Sequence, residues 1–211
     1  PKPIRPLHHY ILPGLFVGSL FFLLIIRREP PAIENTMQGQ VMGTYWIVKI
    51  HSTSLLETEK IQTAIQAELD DVNAKMSTYL PDSELSRFND HARTDIFPLS
   101  EKTRTVITAA QQISKESRGA FDISIKPLIN LWGFGSKPAE NPPSEADIAL
   151  AMGSIGYEKI HVGDQGVKKD IIDLQIDVSA IAKGYAVDQV AEILNSLGHT
   201  QYMVDVGGEI R

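Results

Sequence analysis

Asp177, Ala180 and Lys183 follow one another at intervals of three in IDVSAIAKGYAVDQV, where an alternating stretch gives way to a helical one. Before the junction, Ile172, Leu174, Ile176 and Val178 alternate with Asp173, Gln175, Asp177 and Ser179. A strand there has one apolar and one polar face and turns Asp177 to the polar side. A helix begins with unpaired backbone N–H groups and a partial positive charge. Lys183, in the first turn, adds a full charge beside those amides, and Gly184 allows close approach. Such a corner suits an anion, most often a phosphate. Asp177 then has the opposite work: binding hydroxyl or amino groups of a ligand, or helping to hold a cation. The same spacing also fits a solvated helix lysine beside a helix-entry carboxylate, because one lysine at a strand–helix turn is not specific.

Two further stretches carry residues of interest. SRGAFDISIKPLINLWGFG places Asp122 after a helix-ending glycine and closes on Trp132, Gly133, Phe134 and Gly135. MSTYLPDSELSRFN sets Tyr79 beside a proline turn, with Ser83 and Glu84 opening a short helix. Core packing is the commoner fate of aromatics such as Trp132 and Phe134. Other chemistries are excluded by pattern. Neither G-x-G-x-x-G nor G-x-x-x-x-G-K-[ST] is present, so the dinucleotide fingerprint and the P-loop both fail. The histidines are scattered, with no i, i+4 pair beside a carboxylate, which argues against zinc. No G-x-S-x-G elbow supports a serine hydrolase.

The elements that must hold these residues alternate between helix and strand. VMGTYWIVKI reads as a strand. A helix after Ser54, expected to start with a Ser54–Glu57 capping box, carries Ile61, Ile65, Leu69, Val72 and Met76 on one stripe. A second helix from Ser100 shows Val106, Ala110 and Ile113 and stops at Gly119; PPSEADIALAMGSIG gives a short third. YEKIHVGDQGVKKDIIDLQIDVS reads as strand, glycine turn, strand. The helix after it shows Val187, Val190, Ala191 and Leu194 and ends near Gly198, and QYMVDVGGEIR opens another strand. The expectation is a mixed α and β fold, one domain behind one N-terminal appendage.

That appendage is YILPGLFVGSLFFLLII, uncharged from Tyr10 to Ile26, with Lys2 and Arg5 before it and Arg27 and Arg28 after it. Its length is at the short end for a membrane-crossing helix. A cleaved signal peptide is the rival, but no small-x-small cleavage site follows. The divisions expected are a cytoplasmic tail over 1–9, a transmembrane anchor over 10–26, a linker over 27–40 and a domain over 41–211. Of the 211 residues, 43% are hydrophobic and 22% charged, and the net charge of −6 argues against a grip on nucleic acid. With no cysteine, disulfides, thiolate metal sites, a cysteine nucleophile and a lipoprotein anchor are excluded.

Taken in order, MGTYW, MSTYLPDSELSRFN, GAFDISIKPLINLWGFG, IDVSAIAKGYAVD and DVGGEIR closely resemble the FAD:protein FMN transferases, the ApbE flavin transferases, from Met42 to Arg211. The resemblance implies an α+β, mixed-sheet flavin transferase domain. It implies an enzyme that cleaves the FAD pyrophosphate, joins FMN to a threonine hydroxyl of an acceptor protein, and releases AMP with the help of magnesium (Mg2+). By similarity Met42, Tyr79, Ala120, Phe121, Asp122, Asp177 and Lys183 fall where the family contacts FAD, and Ala180 offers a backbone carbonyl to the metal. Lys183 and Asp177 are the residues expected to work in the reaction. Phosphoryl transfer of this kind rests on positioning and charge neutralisation.

The family continues beyond GGEIR with an aspartate and a threonine that complete the metal site, so the sequence is expected to be part of a longer protein. The resemblance further implies acceptor flavoprotein subunits of electron-transfer or sodium-pumping respiratory complexes. With the anchor it implies a single-pass protein of the inner membrane whose catalytic domain faces the periplasm. Two other readings stand beside it: a membrane-anchored FAD-binding module without transferase activity, for want of the C-terminal metal ligands, and an anchored scaffold with no flavin affinity.

Overall fold

The computed structural model describes residues 14–22, 31–135, 138–139 and 141–211. The span expected over Tyr10–Ile26 lies partly outside them: residues 14–22 are helical and exposed, and residues 10–13 and 23–26 are not described. Among the described residues, no helix is long and apolar enough to cross a membrane.

Strand β1 (Ile33–Val41) and strand β2 (Thr44–Ser52) form a hairpin paired along its full length, from Ile33 opposite Ser52 to Val41 opposite Thr44. β1 therefore starts at Ile33, inside the stretch read as linker. The hairpin turns on Met42 and Gly43, both left-handed, with φ of +52° and +72°. That pair of angles matches the right-handed twist of the flanking strands. Gly39 is required by its neighbour across the ladder, since a Cβ there would lie 2.5 Å from Trp46 Nε1. Trp46 is fully buried and donates through Nε1 to Gln66 Oε1 at 2.8 Å.

Helix α1 (Thr58–Met76) lies on this sheet by the stripe read from its sequence: Ile61, Ile65, Leu69, Val72 and Met76 are all buried. Fully burying side chains of this size contributes roughly 1.5–3 kcal/mol each. The expected Ser54 capping box does not form. The helix starts at Thr58 without a side-chain cap, and Ser54 instead bonds locally to Ser52. Helices α2 (Glu84–Asp90) and α3 (Glu101–Glu116) start with Ser83 and Ser100 accepting from Ser86 N and Thr103 N. In α3 the core face is Thr103, Val106, Ile107, Ala110 and Ser114, and Ile113 is 39% exposed, off the face expected for it. A 3₁₀ turn at Ile123–Ile125 leads into helix α4 (Lys126–Leu131), and α5 (Glu145–Gly153) opens with a Ser144–Asp147 capping box.

The hairpin of β3 (Ile160–Gly163) and β4 (Gly166–Lys169) forms as expected. The strand expected over Ile172–Val178 does not: residues 174–178 belong to no strand or helix and have no ladder partner, and Val178, with φ −104° and ψ 14°, is not extended. Helix α6 (Ser179–Ser196) buries Val187, Val190, Ala191 and Leu194 against the core. The closing stretch is a third hairpin, β5 (Tyr202–Val206) and β6 (Glu209–Ile210), turning at Gly207 and Gly208. β5 pairs with β2, giving the order β1-β2-β5-β6. Every pairing among the described strands is antiparallel. The fold is mixed in combining helix and strand, and its ladders do not mix direction. The core lies between this sheet and helices α1 and α6.

Candidate functional site

The sheet and its two long helices bring three of the chosen side chains to one groove. The β1–β2 turn supplies Met42, the segment after α1 supplies Thr78 and Tyr79, and the first turns of α6 supply Ser179 and Lys183. The groove encloses about 540 Å³ and is floored by Val72, Met76 and Ala182. Its wall is mostly apolar, with a few polar groups converging on it, the usual composition of a small-molecule site. Met42 is in the left-handed region although it carries a side chain. Tyr79 is 65% exposed, and its hydroxyl donates to the carbonyl of Phe134 at 3.4 Å, so the loop after α4 meets the groove rim.

Lys183 is half-exposed, with Nζ 3.4 Å from Gly207 O and 3.5 Å from Glu209 Oε1. The β5–β6 turn thus holds the ammonium beside the groove. The first-turn amides of α6 are largely committed within the chain: Ser179 N donates to Asp177 Oδ1 at 2.8 Å and Ile181 N to Val178 O at 2.9 Å. Lys183 is the fifth residue of α6, past the first turn expected for it, so of the corner read from the sequence the ammonium stands at the groove while the Ser179 and Ile181 amides are taken.

Asp177 differs from the expectation. It is 8% exposed and not on a polar face. One oxygen accepts from Ser179 N at 2.8 Å and from the Ser179 hydroxyl; the other accepts from Thr78 Oγ1 at 3.3 Å and lies 3.5 Å from Lys126 Nζ. Its own N–H donates to Ile123 O at 2.7 Å. The carboxylate is therefore an internal junction directly behind two residues of the groove wall. Alternation misplaced it because residues 174–178 pack on both sides: Leu174, Ile176 and Val178 are fully buried as well.

Asp122 is also committed to the chain. It accepts from Ser124 N at 2.8 Å, from the Ser124 hydroxyl at 2.7 Å and from Tyr157 N at 3.0 Å, tying the 3₁₀ turn to the loop before β3. Phe121 is half-buried against the core and Ala120 is exposed; neither they nor Asp122 lines the groove. Their segment reaches it through Ile123 and Asp177. Trp132 and Phe134 are 49% and 74% exposed, so core packing does not account for them.

Ala180 lies on the other flank of α6, in a second groove of about 460 Å³ shared with Gly184, Asp188, Glu209 and Arg211. Nothing stands within 4 Å of where a Gly184 Cβ would be, so the helix surface one turn beyond Ala180 is open. The nearby carboxylates are engaged: Asp188 accepts from Arg211 at 2.6 Å, and Glu209 faces Lys183. Among the described residues, no group of three or more His, Cys, Asp or Glu is placed to hold a metal ion. Magnesium wants near-octahedral oxygen coordination, which these residues alone do not supply.

Sequence reasoning overlooked Thr78, Lys126 and Asn89. All three stand within the stretches already singled out, but nothing local signals that Lys126 meets a carboxylate 51 positions on or that Asn89 meets Ile176. Lys169, fully buried, was likewise missed. It donates to Leu174 O at 3.1 Å and Asn89 O at 3.4 Å and lies 5.4 Å from the centre of the Phe88 ring. Burial pushes its ammonium below the ordinary lysine range, partly offset by Asp173 and Asp90.

A model of the ApbE family matches residues 42–211. The FAD:protein FMN transferase of Vibrio cholerae is 40% identical over 199 residues, covering 92% of this chain and 59% of that protein. Its counterpart in Escherichia coli K12 is 33% identical over 209 residues, covering 93% and 59%. Among solved structures, flavin transferase ApbE from Vibrio cholerae matches with a TM-score of 0.83 and 39% identity, covering 86% of this chain and 59% of that one. The apo Pseudomonas stutzeri flavinyl transferase ApbE matches at 0.81 and 33%, covering 86% and 61%. The chain thus spans about 59% of the length of the curated relatives it matches.

Proposed function

The chain belongs to the ApbE family, and from that membership we propose that the protein carrying it is an FAD:protein FMN transferase. The observation that carries the reading is the convergence of Met42, Tyr79 and Lys183, distant in sequence, on one groove at the start of α6. An apolar groove with an aromatic rim and a cationic end suits a flavin dinucleotide, whose rings are apolar and whose pyrophosphate is anionic.

In this reading the flavin lies against Met42 and Tyr79, and the pyrophosphate meets Lys183 beside the start of α6. A threonine hydroxyl of the acceptor attacks the phosphorus of the FMN half. The new P–O bond forms, the bridging bond of the pyrophosphate breaks, AMP departs and the hydroxyl proton is released. The work of Lys183 is to hold negative charge in place before and during that displacement. The nucleophile comes from the partner, in keeping with the lack of a cysteine or serine elbow in this chain. Magnesium dependence belongs to the same proposal, with the Ala180 carbonyl assigned to the ion and the other oxygen donors outside the described residues. So do flavoprotein acceptors of electron-transfer or sodium-pumping complexes, and a single-pass anchor that puts the domain on the periplasmic side.

The test mixes the full-length protein with FAD, magnesium and an acceptor domain bearing a threonine. A magnesium-dependent fluorescent band, heavier by one FMN, is expected. FAD binding without any label would favour the binding module instead, and no FAD binding would sink both.

A further inference from the structure

We propose that Lys126 is a positioning residue of the flavin groove, acting through Asp177. The inference rests on the function proposed above and deepens it.

Lys126 is the first residue of α4 and carries an ammonium in a buried place: its side chain is 10% exposed and that of Asp177 is 6% exposed. Among the described residues, Lys126 is the cation within 4.0 Å of the Asp177 carboxylate. The other groups on that carboxylate are the Thr78 hydroxyl, the Ser179 hydroxyl and the Ser179 N–H, and both residues line the groove. Asp177 is thus the layer behind the groove wall, and Lys126 the layer behind Asp177. The 2.7 Å bond from Asp177 N to Ile123 O fixes the two segments against each other.

A buried carboxylate directly behind an anion site opposes its ligand, because charges in a protein interior are screened far less than in water. Lys126 cancels that charge. The positive charge of Lys183 then remains for the pyrophosphate, instead of being spent against Asp177. Lys126 need not touch the ligand to do this, and it also keeps Asp177 oriented so that Thr78 and Ser179 stay in the wall. Without it a buried anion stands unpaired, the costly arrangement for an ion pair.

The measurement is FAD affinity of the full-length protein, read by flavin fluorescence without magnesium or acceptor, for wild type, K126M, K126R, D177N and K126M/D177N. K126M is expected to weaken FAD binding about tenfold, and K126R to restore most of it. In the D177N background, K126M is expected to cost clearly less than in the wild type, because only the direct attraction of the ammonium for the anion is left to lose and no carboxylate is left to neutralise or orient. That double variant replaces an ion pair by two uncharged side chains, so its comparison with D177N stands even if K126M alone misfolds. Equal affinity of wild type and K126M would overturn the proposal. So would the same loss in both backgrounds, which would mean that Lys126 acts independently of Asp177. Failure of the wild type to bind FAD is a separate outcome, and it would sink the proposed function itself.

Discussion

The side-chain amide of Asn89 takes both backbone groups of Ile176: Nδ2 donates to Ile176 O at 2.9 Å, and Oδ1 accepts from Ile176 N at 2.8 Å. One side chain thus does for this segment what a neighbouring strand would do. Both partners are buried, at 7% and 0% exposure. The residue that follows is Asp177, so the position of the junction behind the groove depends on an amide in α2.

Asn89→Ala should therefore be costly. It leaves a buried N–H and a buried C=O without partners, at about 1–3 kcal/mol for each such group. A loss of about 2–4 kcal/mol in urea unfolding, at unchanged slope, is expected. A loss below about 0.5 kcal/mol, the range of an ordinary surface change, would contradict the bridging role.

Much of this arrangement was legible in the sequence where local pattern decides the structure. The α1 stripe, the Ser100 start of α3 and the β3–β4 hairpin follow from periodicity, capping and turn chemistry. The segment before α6 was half legible. Alternation found Leu174, Ile176 and Val178 as core, but a strand needs a ladder, and here Asn89 and Ile123 O stand in for one. Asp177 was misplaced for the same reason, since a segment buried on both sides has no polar face. The Lys126–Asp177 pair and the burial of Lys169 are tertiary facts with no local signal. Trp132 and Phe134 show the converse case: α4 ends in a turn held by Phe134 N to Ile129 O, and the backbone is fixed while the rings stay out in solvent.

Lys169 gives a stability test against pH. Burial lowers its pKa in the folded protein, so between that lowered value and the ordinary lysine value the unfolded chain holds a proton that the folded chain has released. Stability from this group must then rise as pH climbs through that window, with the burial penalty fully present below it. In urea unfolding from pH 7 to 10, the stability of wild type minus that of K169M should grow with pH. A flat or falling difference would mean that the buried ammonium is not strained.

Met42 separates stability from binding. A left-handed conformation costs a residue with a Cβ about 1–2 kcal/mol relative to glycine, offset in part by the greater freedom of glycine when unfolded. Met42→Gly should leave the melting temperature unchanged or slightly raised, because the turn φ of +52° then carries no strain. The same variant should weaken FAD several-fold, since the thioether side chain leaves the groove wall. Unchanged FAD affinity would remove Met42 from the flavin contact.

Lys183 and Glu209 should act in opposite directions on the same ligand. Lys183 lies 3.5 Å from Glu209 Oε1, and with side chains 34% and 51% exposed the pair is worth about 0–1 kcal/mol to the fold. Neither variant should unfold the protein. Lys183→Ala removes the fixed charge of the groove and is expected to weaken FAD by about tenfold or more, equivalent to about 1.4 kcal/mol, with a shallower dependence on salt. Glu209→Gln removes the anion that competes with the pyrophosphate for the same ammonium, so FAD should bind about two- to fivefold more tightly, within the worth of an exposed pair. The double variant decides the mechanism. If Glu209 acts by occupying Lys183, K183A/E209Q must bind FAD no better than K183A alone. If the gain from E209Q survives without the lysine, the carboxylate repels the ligand directly, and Lys183 is not the group that holds the phosphates.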